Sequence, residues 1–320
     1  MINKIKPIIA AAVISVFCNS AMAYPEKVVK IIIPSVPGGV SDAVGRLSAE
    51  EMGKELKGSV IPENVPGVGT YMAIKRALSS EADGYTVPIF ANTIVTMPYV
   101  DKKASFQSAD FMAVSFLSKM PLALTVGIDS PFNTLKDLVD YAKKNPMMVS
   151  YSSVGVGTTS HLPAELFAQS AGIDLQMISY KGSAQAIPDV VGGRVNFMMS
   201  NAATAGELIK AKKVKILATT TKERNEHFPG VPTFTELGYP EVVYELILGL
   251  MVKKGTSPEV ITKLSQAAEK AKHYEHVQRR LKELGQDIPV ENTPEKFQQF
   301  LANEEKVMSQ VVKKANISVN

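Results

Sequence analysis

A strand-to-helix turn in this sequence is rich in hydroxyl groups and poor in charge. Residues 149–167, VSYSSVGVGTTSHLPAELF, begin with the apolar run of a buried strand and end with a helical pattern, and no charged side chain precedes Glu165. A helix N-terminus offers unpaired N–H groups and a partial positive charge, and glycine lets an anion approach the backbone closely. The turn therefore favours a small anion held without a cationic side chain, with hydroxyl donors available from Ser153, Thr158, Thr159 and Ser160.

Two further turns have a similar composition. They are PSVPGGVSD (residues 34–42) and SYKGSAQA (residues 179–186), and each leads into a helical pattern. For any one turn, glycine for backbone geometry and Ser or Thr for helix capping is the simpler explanation. Three such turns together favour anion binding, because ligands of open α/β sheets bind at the turns that follow the strands.

Single residues near these turns have two interpretations each. Asp42 and Arg46 are four apart at a helix start, which favours an ion pair on the helix over an Asp42 that holds a ligand ammonium. His161 could donate to a carboxylate or could cap and pack. His273 and His276 lie one helical turn apart, but no third ligand is near them in sequence, so we interpret them as a solvated face and predict no metal site.

The sequence contains no enzyme motif that we can recognise. GVGTTS (155–160) and GVGTYM (67–72) begin like a dinucleotide fingerprint but lack its third glycine. Ser160 and His161 are neighbours, and sequence neighbours on a helix point in different directions, so they do not form a catalytic pair. We therefore predict no catalytic residue and no cofactor.

The first 23 residues have the layout of a secretory signal peptide. A basic start (MINKIK) precedes a short apolar run and the small-residue site AMA, which predicts cleavage after Ala23 and a protein of the periplasm. Cys18, the only cysteine of the 320 residues, leaves with this segment, so the mature chain has no disulfide. Loss of Lys4 and Lys6 lowers the net charge from +4 to +2, which argues against nucleic acid as a partner.

Short apolar runs alternate with amphipathic helical patterns along the rest of the chain. Strands are predicted at 28–34, 85–91, 111–118, 122–128 and 242–252, among others. Such alternation predicts an α/β fold with mostly parallel sheets that helices cover on both faces. The chain has no linker of unusual composition, so we expect two lobes that it connects more than once, with crossings at 118–122 and 238–245.

Seven segments, in order, resemble one family. They are YPEKVVKIIIPSVPGGVSDAVGRL, VIPENVPGVGT, EADGYTV, the 149–167 stretch, SYKGSAQAIPDVVGGRVNFMM, FPGVPTFTELGYP and LGLMVKKGTSPEVITKL. Together they resemble the extracytoplasmic solute receptors of tripartite tricarboxylate transporters, the TctC or Bug family. The resemblance implies a two-lobed type II periplasmic-binding-protein fold with a ligand cleft between the lobes. It assigns 24–120 and 241–320 to the first lobe and 121–240 to the second.

The resemblance also implies the ligand-binding residues. Those of the first lobe are Ser35, Pro37, Gly38, Gly39, Ser41, Asp42 and Asn92. Those of the second lobe are Ser153, Gly155, Gly157, Thr158, Thr159, Ser160, His161, Lys181, Gly182, Ser183 and Asn201. Ser35 and Val40 replace an aromatic residue and a third glycine that the family usually has, which makes the pocket wall less apolar and the turn narrower.

The function that this resemblance implies is a receptor without catalytic activity. It would bind a small carboxylate (a dicarboxylate, a tricarboxylate, an acidic amino acid or an aromatic acid) as a monomer and deliver it to integral membrane transporter subunits. The sequence has no tryptophan, which favours aliphatic acids, although Tyr71, Tyr85, Tyr151 and Tyr180 could stack against a ring. The alternatives are a ligand sensor for a membrane kinase and a hydrolase that uses Ser160 or His161.

Overall fold

One long strand joins the two halves of the sheet. The computed structural model describes residues 24–67, 70–289 and 292–318, so the signal peptide predicted at 1–23 and its cleavage site lie outside the described residues. The strands are β1 (Val29–Ile33), β2 (Val60–Asn64), β3 (Thr86–Ala91), β4 (Phe111–Gly127), β5 (Val149–Ser153), β6 (Leu175–Ser179), β7 (Phe197–Asn201), β8 (Val214–Thr219) and β9 (Glu245–Lys253). The helices are α1 (Val40–Leu56), α2 (Tyr71–Leu78), α3 (Met97–Val100), α4 (Leu135–Lys144), α5 (Leu162–Ala171), α6 (Ser183–Val191), α7 (Ala202–Lys210), α8 (Pro258–Lys272), α9 (Glu275–Glu283) and α10 (Pro294–Lys314).

The long strand β4 changes partners along its length. Residues 111–121 pair antiparallel with β9, and residues 122–127 pair antiparallel with β7 and β8. The two strands predicted at 111–118 and 122–128 are therefore one strand, and that prediction was wrong. The change of partner follows Pro121, which has no N–H to donate to a ladder and so suits a position where pairing is interrupted.

Two lobes can be defined from this change of partner. Lobe 1 contains β1, β2, β3, β9 and the first part of β4; lobe 2 contains the rest of β4 with β5 to β8. β1 pairs in parallel with β2 and β3, and β5 pairs in parallel with β6 and β7, whereas β4 and β9 pair antiparallel with all their partners. The sheet is therefore mixed, with parallel strands in the outer part of each lobe.

The last helices begin as the sequence predicts. Ser257 caps α8 by accepting from the Val260 N–H, Thr293 caps α10 by accepting from the Lys296 N–H, and proline follows each cap.

The 21-residue helix α10 packs on both lobes. Phe297 and Leu301 belong to a lobe 1 cluster, whereas Met308, Val311 and Val312 belong to the core around β5 and α5. Within the described residues, no helix is long and apolar enough to cross a bilayer.

This topology brings the polar turns to two edges. The turns after β1, β2 and β3 meet at one edge of lobe 1, because parallel strands end on the same side. The turns after β5, β6 and β7 meet in the same way at one edge of lobe 2. The turn after β5 is the hydroxyl-rich stretch, which we call the glycine turn (residues 154–161).

Candidate functional site

A cavity of about 740 Å³ lies between the lobes. This volume is in the range of small-molecule sites, roughly 300–1,000 Å³. Its described walls combine three segments: the start of α2, residues 93–103 after β3, and the glycine turn of lobe 2. The residues that line it are Thr70, Tyr71, Met72, Thr93, Met97, Val100, Asp101, Lys103, Val154, Val156, Gly157, Thr158 and Thr159.

Most hydroxyl groups of the glycine turn bond within the turn itself. Ser153 Oγ donates to Gly155 O (2.8 Å), Thr158 Oγ1 donates to the same oxygen (2.7 Å), and Ser160 Oγ accepts from Val154 N–H (3.0 Å). The hydroxyl groups of these three side chains therefore stabilise the conformation of the turn, because they form hydrogen bonds with backbone N–H and C=O groups that have no strand or helix partner.

Thr159 differs from its neighbours in the turn. Among the described residues, nothing bonds to its hydroxyl or to the N–H groups of Thr159 and Ser160, which precede α5. Thr159 lines the large cavity, and together with Ser160 it also lines an adjoining cavity of about 100 Å³. Free donors at a helix start can receive a carboxylate. The donors that the sequence predicts at this turn are thus concentrated at Thr159 and Ser160.

His161 holds the glycine turn from within. It is 5% exposed, and its Nδ1 accepts from the Gly157 N–H at 3.0 Å, which places the proton of the neutral ring on Nε2. Burial lowers the pKa of His161 to about 4, and the ring stacks on Tyr151 with centroids 6.2 Å apart. Tyr151 Oη in turn donates to Glu165 Oε1 (2.6 Å). His161 is therefore a neutral, packed residue near pH 7, the second of the two interpretations that the sequence allowed.

The same contacts argue against a serine–histidine nucleophile. A catalytic histidine accepts the proton of the serine hydroxyl, and its acceptor nitrogen must be free for that. Here Nδ1 of His161 already accepts from Gly157, and Ser160 Oγ bonds to Val154. The geometry gives no support to the hydrolase alternative.

Asp42 closes the first turn, residues 34–42. Its carboxylate is 4% exposed and accepts from Arg46 Nε (3.0 Å to each oxygen), from Gly38 N–H (2.9 Å) and from Asn64 Nδ2 (2.8 Å). Chiefly because of the Arg46 hydrogen bond, the pKa of Asp42 is lowered to about 2. The carboxylate has no free position for a ligand ammonium, so the ion-pair interpretation describes this structure. Asn64, which the sequence reasoning missed, also donates to Ser35 O (3.0 Å).

The first turn does not line the large cavity. Pro37 and Gly38 are exposed, and Gly38 has φ +96°, a conformation that favours glycine. Gly39 and Ser41 are partly exposed at the start of α1. The hydroxyl of Ser35 is buried, and no group in the described part of the chain bonds to it. The structure thus places these residues at the matching edge of lobe 1 but outside the walls of the cavity.

The remaining predicted site residues have separate positions. Asn92 is 2% exposed, and its amide bonds to Glu245 O (3.1 Å), Glu304 Oε1 (2.8 Å) and Ile247 N–H (3.3 Å), so its side chain links β3, β9 and α10. Asn201 caps α7 by accepting from the Thr204 N–H (2.8 Å), and with Ser183 it lines the 100 Å³ cavity. Lys181 is exposed and Gly182 is partly exposed, and both lie on the turn before α6.

Two histidines at the end of α8 and in α9 each pair with a carboxylate. His273 Nε2 lies 3.0 Å from Glu269 Oε1, and His276 Nε2 lies 3.0 Å from Glu51 Oε1. Both imidazole side chains are largely exposed, His273 by 62% and His276 by 49%.

The chain is similar to several known proteins. A family model described as "Tripartite tricarboxylate transporter family receptor" matches residues 44–317. Protein BugT of Bordetella pertussis is 31% identical over 291 residues, which cover 89% of this chain and 88% of BugT. Two solved structures from Rhodopseudomonas palustris superpose on it. MatC with bound malate has a TM-score of 0.76 and 26% identity, over 90% of this chain and all of MatC. Rpa4515 with adipate has a TM-score of 0.78 and 27% identity, over 92% of this chain and all of Rpa4515. These similarities confirm the predicted α/β fold of the periplasmic binding proteins.

Proposed function

We propose that this protein binds a small carboxylate in the cleft between its lobes. The chain belongs to the tripartite tricarboxylate transporter receptor family, whose members are substrate-binding receptors and not enzymes. One observation carries the proposal: a cavity of about 740 Å³ has walls from both lobes and reaches the free donors at Thr159. The carboxylates bound by MatC and Rpa4515 support the chemical class. The ligand would then pass to integral membrane subunits of a transporter.

The proposed mechanism is differential binding. A ligand that touches both lobes binds the closed form more tightly than the open form, and therefore shifts the population towards closure. The carboxylate is received by the N–H groups of Thr159 and Ser160 and by the Thr159 hydroxyl. The first turn, with the N–H groups at the start of α1, approaches the same ligand from lobe 1 on closure. The membrane subunits then recognise the closed form.

We also propose that this receptor works in the periplasm, after removal of residues 1–23. Its relatives include a structure described as the periplasmic binding protein BugD, which is 28% identical with a TM-score of 0.76 and covers 92% of this chain. The monomeric state and the transporter partner stay predictions.

A thermal-shift screen tests the carboxylate proposal. Protein from a periplasmic extract is unfolded to remove bound ligand, refolded, and melted with mono-, di- and tricarboxylates and aromatic acids. A ligand at 100 times its Kd stabilises the native state by about 2.7 kcal/mol, which raises the melting temperature measurably. If no acid in the panel raises it, the carboxylate assignment is wrong.

A pair of threonine variants tests the site. Thr159→Ala removes one hydrogen bond to the ligand, worth about 1 kcal/mol, so Kd should rise about fivefold. Thr262→Ala on α8 is the matched control, because its hydroxyl donates to Pro258 O within its own helix and Thr262 lines neither of the two cavities described above. Equal ligand affinities of the two variants would contradict the placement of the carboxylate at the glycine turn.

A further inference from the structure

Much of the cavity wall is apolar. Lobe 1 contributes Met72, Met97 and Val100, and lobe 2 contributes Val156. Val100 is 4% exposed and packs into the core of lobe 2, while Met72 is 49% exposed. A ligand in this space contacts methyl, methylene and thioether groups, so burial of an apolar part of the ligand against them is favourable.

Charge is scarce along the same wall. The charged side chains among the described lining residues are Asp101 and Lys103, both from the segment after α3, and no arginine is among them. Asp101 Oδ1 accepts from the Lys103 N–H at 2.8 Å, and the Lys103 side chain is exposed. A second carboxylate placed along the wall would lose its hydration where it contacts methionine and valine. Because no cationic side chain is held in place to pair with it, this loss of hydration would weaken binding.

The cavity is also large for a short acid. Its 740 Å³ equals the liquid volume of about 25 water molecules. Before the lobes close, a four-carbon acid would leave most of this volume to water that contacts apolar side chains. A ligand with a longer apolar part would displace that water.

We propose that the ligand is a monocarboxylate with an extended apolar tail, such as a medium-chain alkanoate or an aryl alkanoate. This inference rests on the proposed function and narrows its ligand class. The carboxylate binds at Thr159 and the tail lies along Met72, Met97 and Val100. The flexible methionines accommodate tails of different length, so the receptor accepts a class of acids and not one compound.

A chain-length series tests the tail. Butanoate, hexanoate and octanoate are titrated into the refolded full protein by calorimetry. Octanedioate is the matched probe, because it has the same number of carbons as octanoate and carries a second carboxylate in place of the terminal methyl group. Each buried methylene should tighten Kd about fourfold. Octanedioate should bind at least tenfold more weakly than octanoate, since its second charge meets the apolar wall.

Methionine variants test where the tail lies. Met72→Gln and Met97→Gln keep the length of the side chain and remove its apolar character, so each should weaken octanoate binding several-fold more than butanoate binding. Met148→Gln is the control, because Met148 is 64% exposed in the loop before β5 and lines none of the cavities described above. All three variants should keep the melting temperature of the unliganded protein within a few degrees.

The outcomes separate this inference from the proposed function. Tighter binding of octanedioate, malate or citrate than of octanoate overturns the inference, while the proposed function as a carboxylate receptor stands. Loss of that tighter binding in Lys103→Gln would then identify Lys103 as the partner of the second carboxylate. Octanoate affinities that do not differ among the three methionine variants also overturn it. If no acid of any class binds, both the inference and the proposed function fail.

Discussion

Replacement of Gly157 by alanine should strain the contact between the lobes. Gly157 has φ +74°, and a methyl group at its Cα would lie 3.0 Å and 3.1 Å from the two Cγ atoms of Val100. The left-handed conformation costs an alanine about 1–2 kcal/mol. Displacement of Val100, which is anchored in the core of lobe 2, adds about 1–3 kcal/mol of overpacking. We therefore expect Gly157→Ala to lower the free energy of unfolding by about 2–5 kcal/mol.

A control separates the two contributions. Gly172 also has a positive φ, +62°, but nothing lies within 4 Å of a methyl group built there. Gly172→Ala should therefore cost only the conformational part, about 1–2 kcal/mol. Val100→Ala alone should be destabilising because Val100 is buried, but it should cost less in the Gly157→Ala background, since it removes the contacting methyl groups.

Urea unfolding of the four variants and of the wild type provides the measurement, analysed as a double-mutant cycle for positions 100 and 157. Ligand titration of the folded variants follows, because Gly157 lines the cavity and its displacement should weaken ligand binding as well. Equal losses in Gly157→Ala and Gly172→Ala, together with a coupling energy within about 0.5 kcal/mol of zero, would refute the argument that this contact is tight.

Three further predictions concern buried or partly buried ionisable groups. Burial raises the pKa of Glu304 from 4.5 to about 7, so the native state keeps a proton that the unfolded state releases. The free energy of unfolding should therefore fall by up to about 3 kcal/mol between pH 4.5 and 7. The urea midpoints of Glu304→Gln should not show this decline. For His161 the pH dependence has the opposite sign. Its pKa falls from 6.5 to about 4, so its contribution to the free energy of unfolding is present above pH 6.5 and is lost towards pH 4. NMR should show a neutral ring with the proton on Nε2 at pH 7 and a titration midpoint near 4. Asp42→Asn should lower stability at pH 7 by about 1.5–3 kcal/mol in thermal or urea unfolding, whereas Asp140→Asn, which breaks only the exposed pair with Lys136, should cost less than about 1 kcal/mol.

The sequence predicts the fold class well because that class depends on local patterns. Alternating apolar runs and amphipathic helices indicate α/β structure, and the Ser257 and Thr293 caps follow from a few adjacent residues. The division of β4 into two predicted strands was wrong because Pro121 is typical of a strand end. Only the pairing with β9 on one side and with β7 and β8 on the other shows that the strand continues.

The candidate site is predictable only in part. Glycine and hydroxyl residues point to the turn after β5, but residue type does not tell which hydroxyls find a partner inside the turn. That depends on the backbone path, which leaves Thr159 free and occupies Thr158. The apolar wall was missed because Met72 and Met97 come from separate segments without a shared period, and only the packing of the lobes brings them together.

The shared strand β4 also determines how this protein should unfold. Its backbone hydrogen bonds continue from lobe 1 into lobe 2 across 17 residues, so neither lobe can lose its structure without removing strand partners from the other. We expect one cooperative transition for the whole chain, and amide hydrogen exchange slowest in the centre of β4. Either lobe expressed alone would expose a sheet edge that β4 normally completes, and should aggregate and not fold as an independent domain.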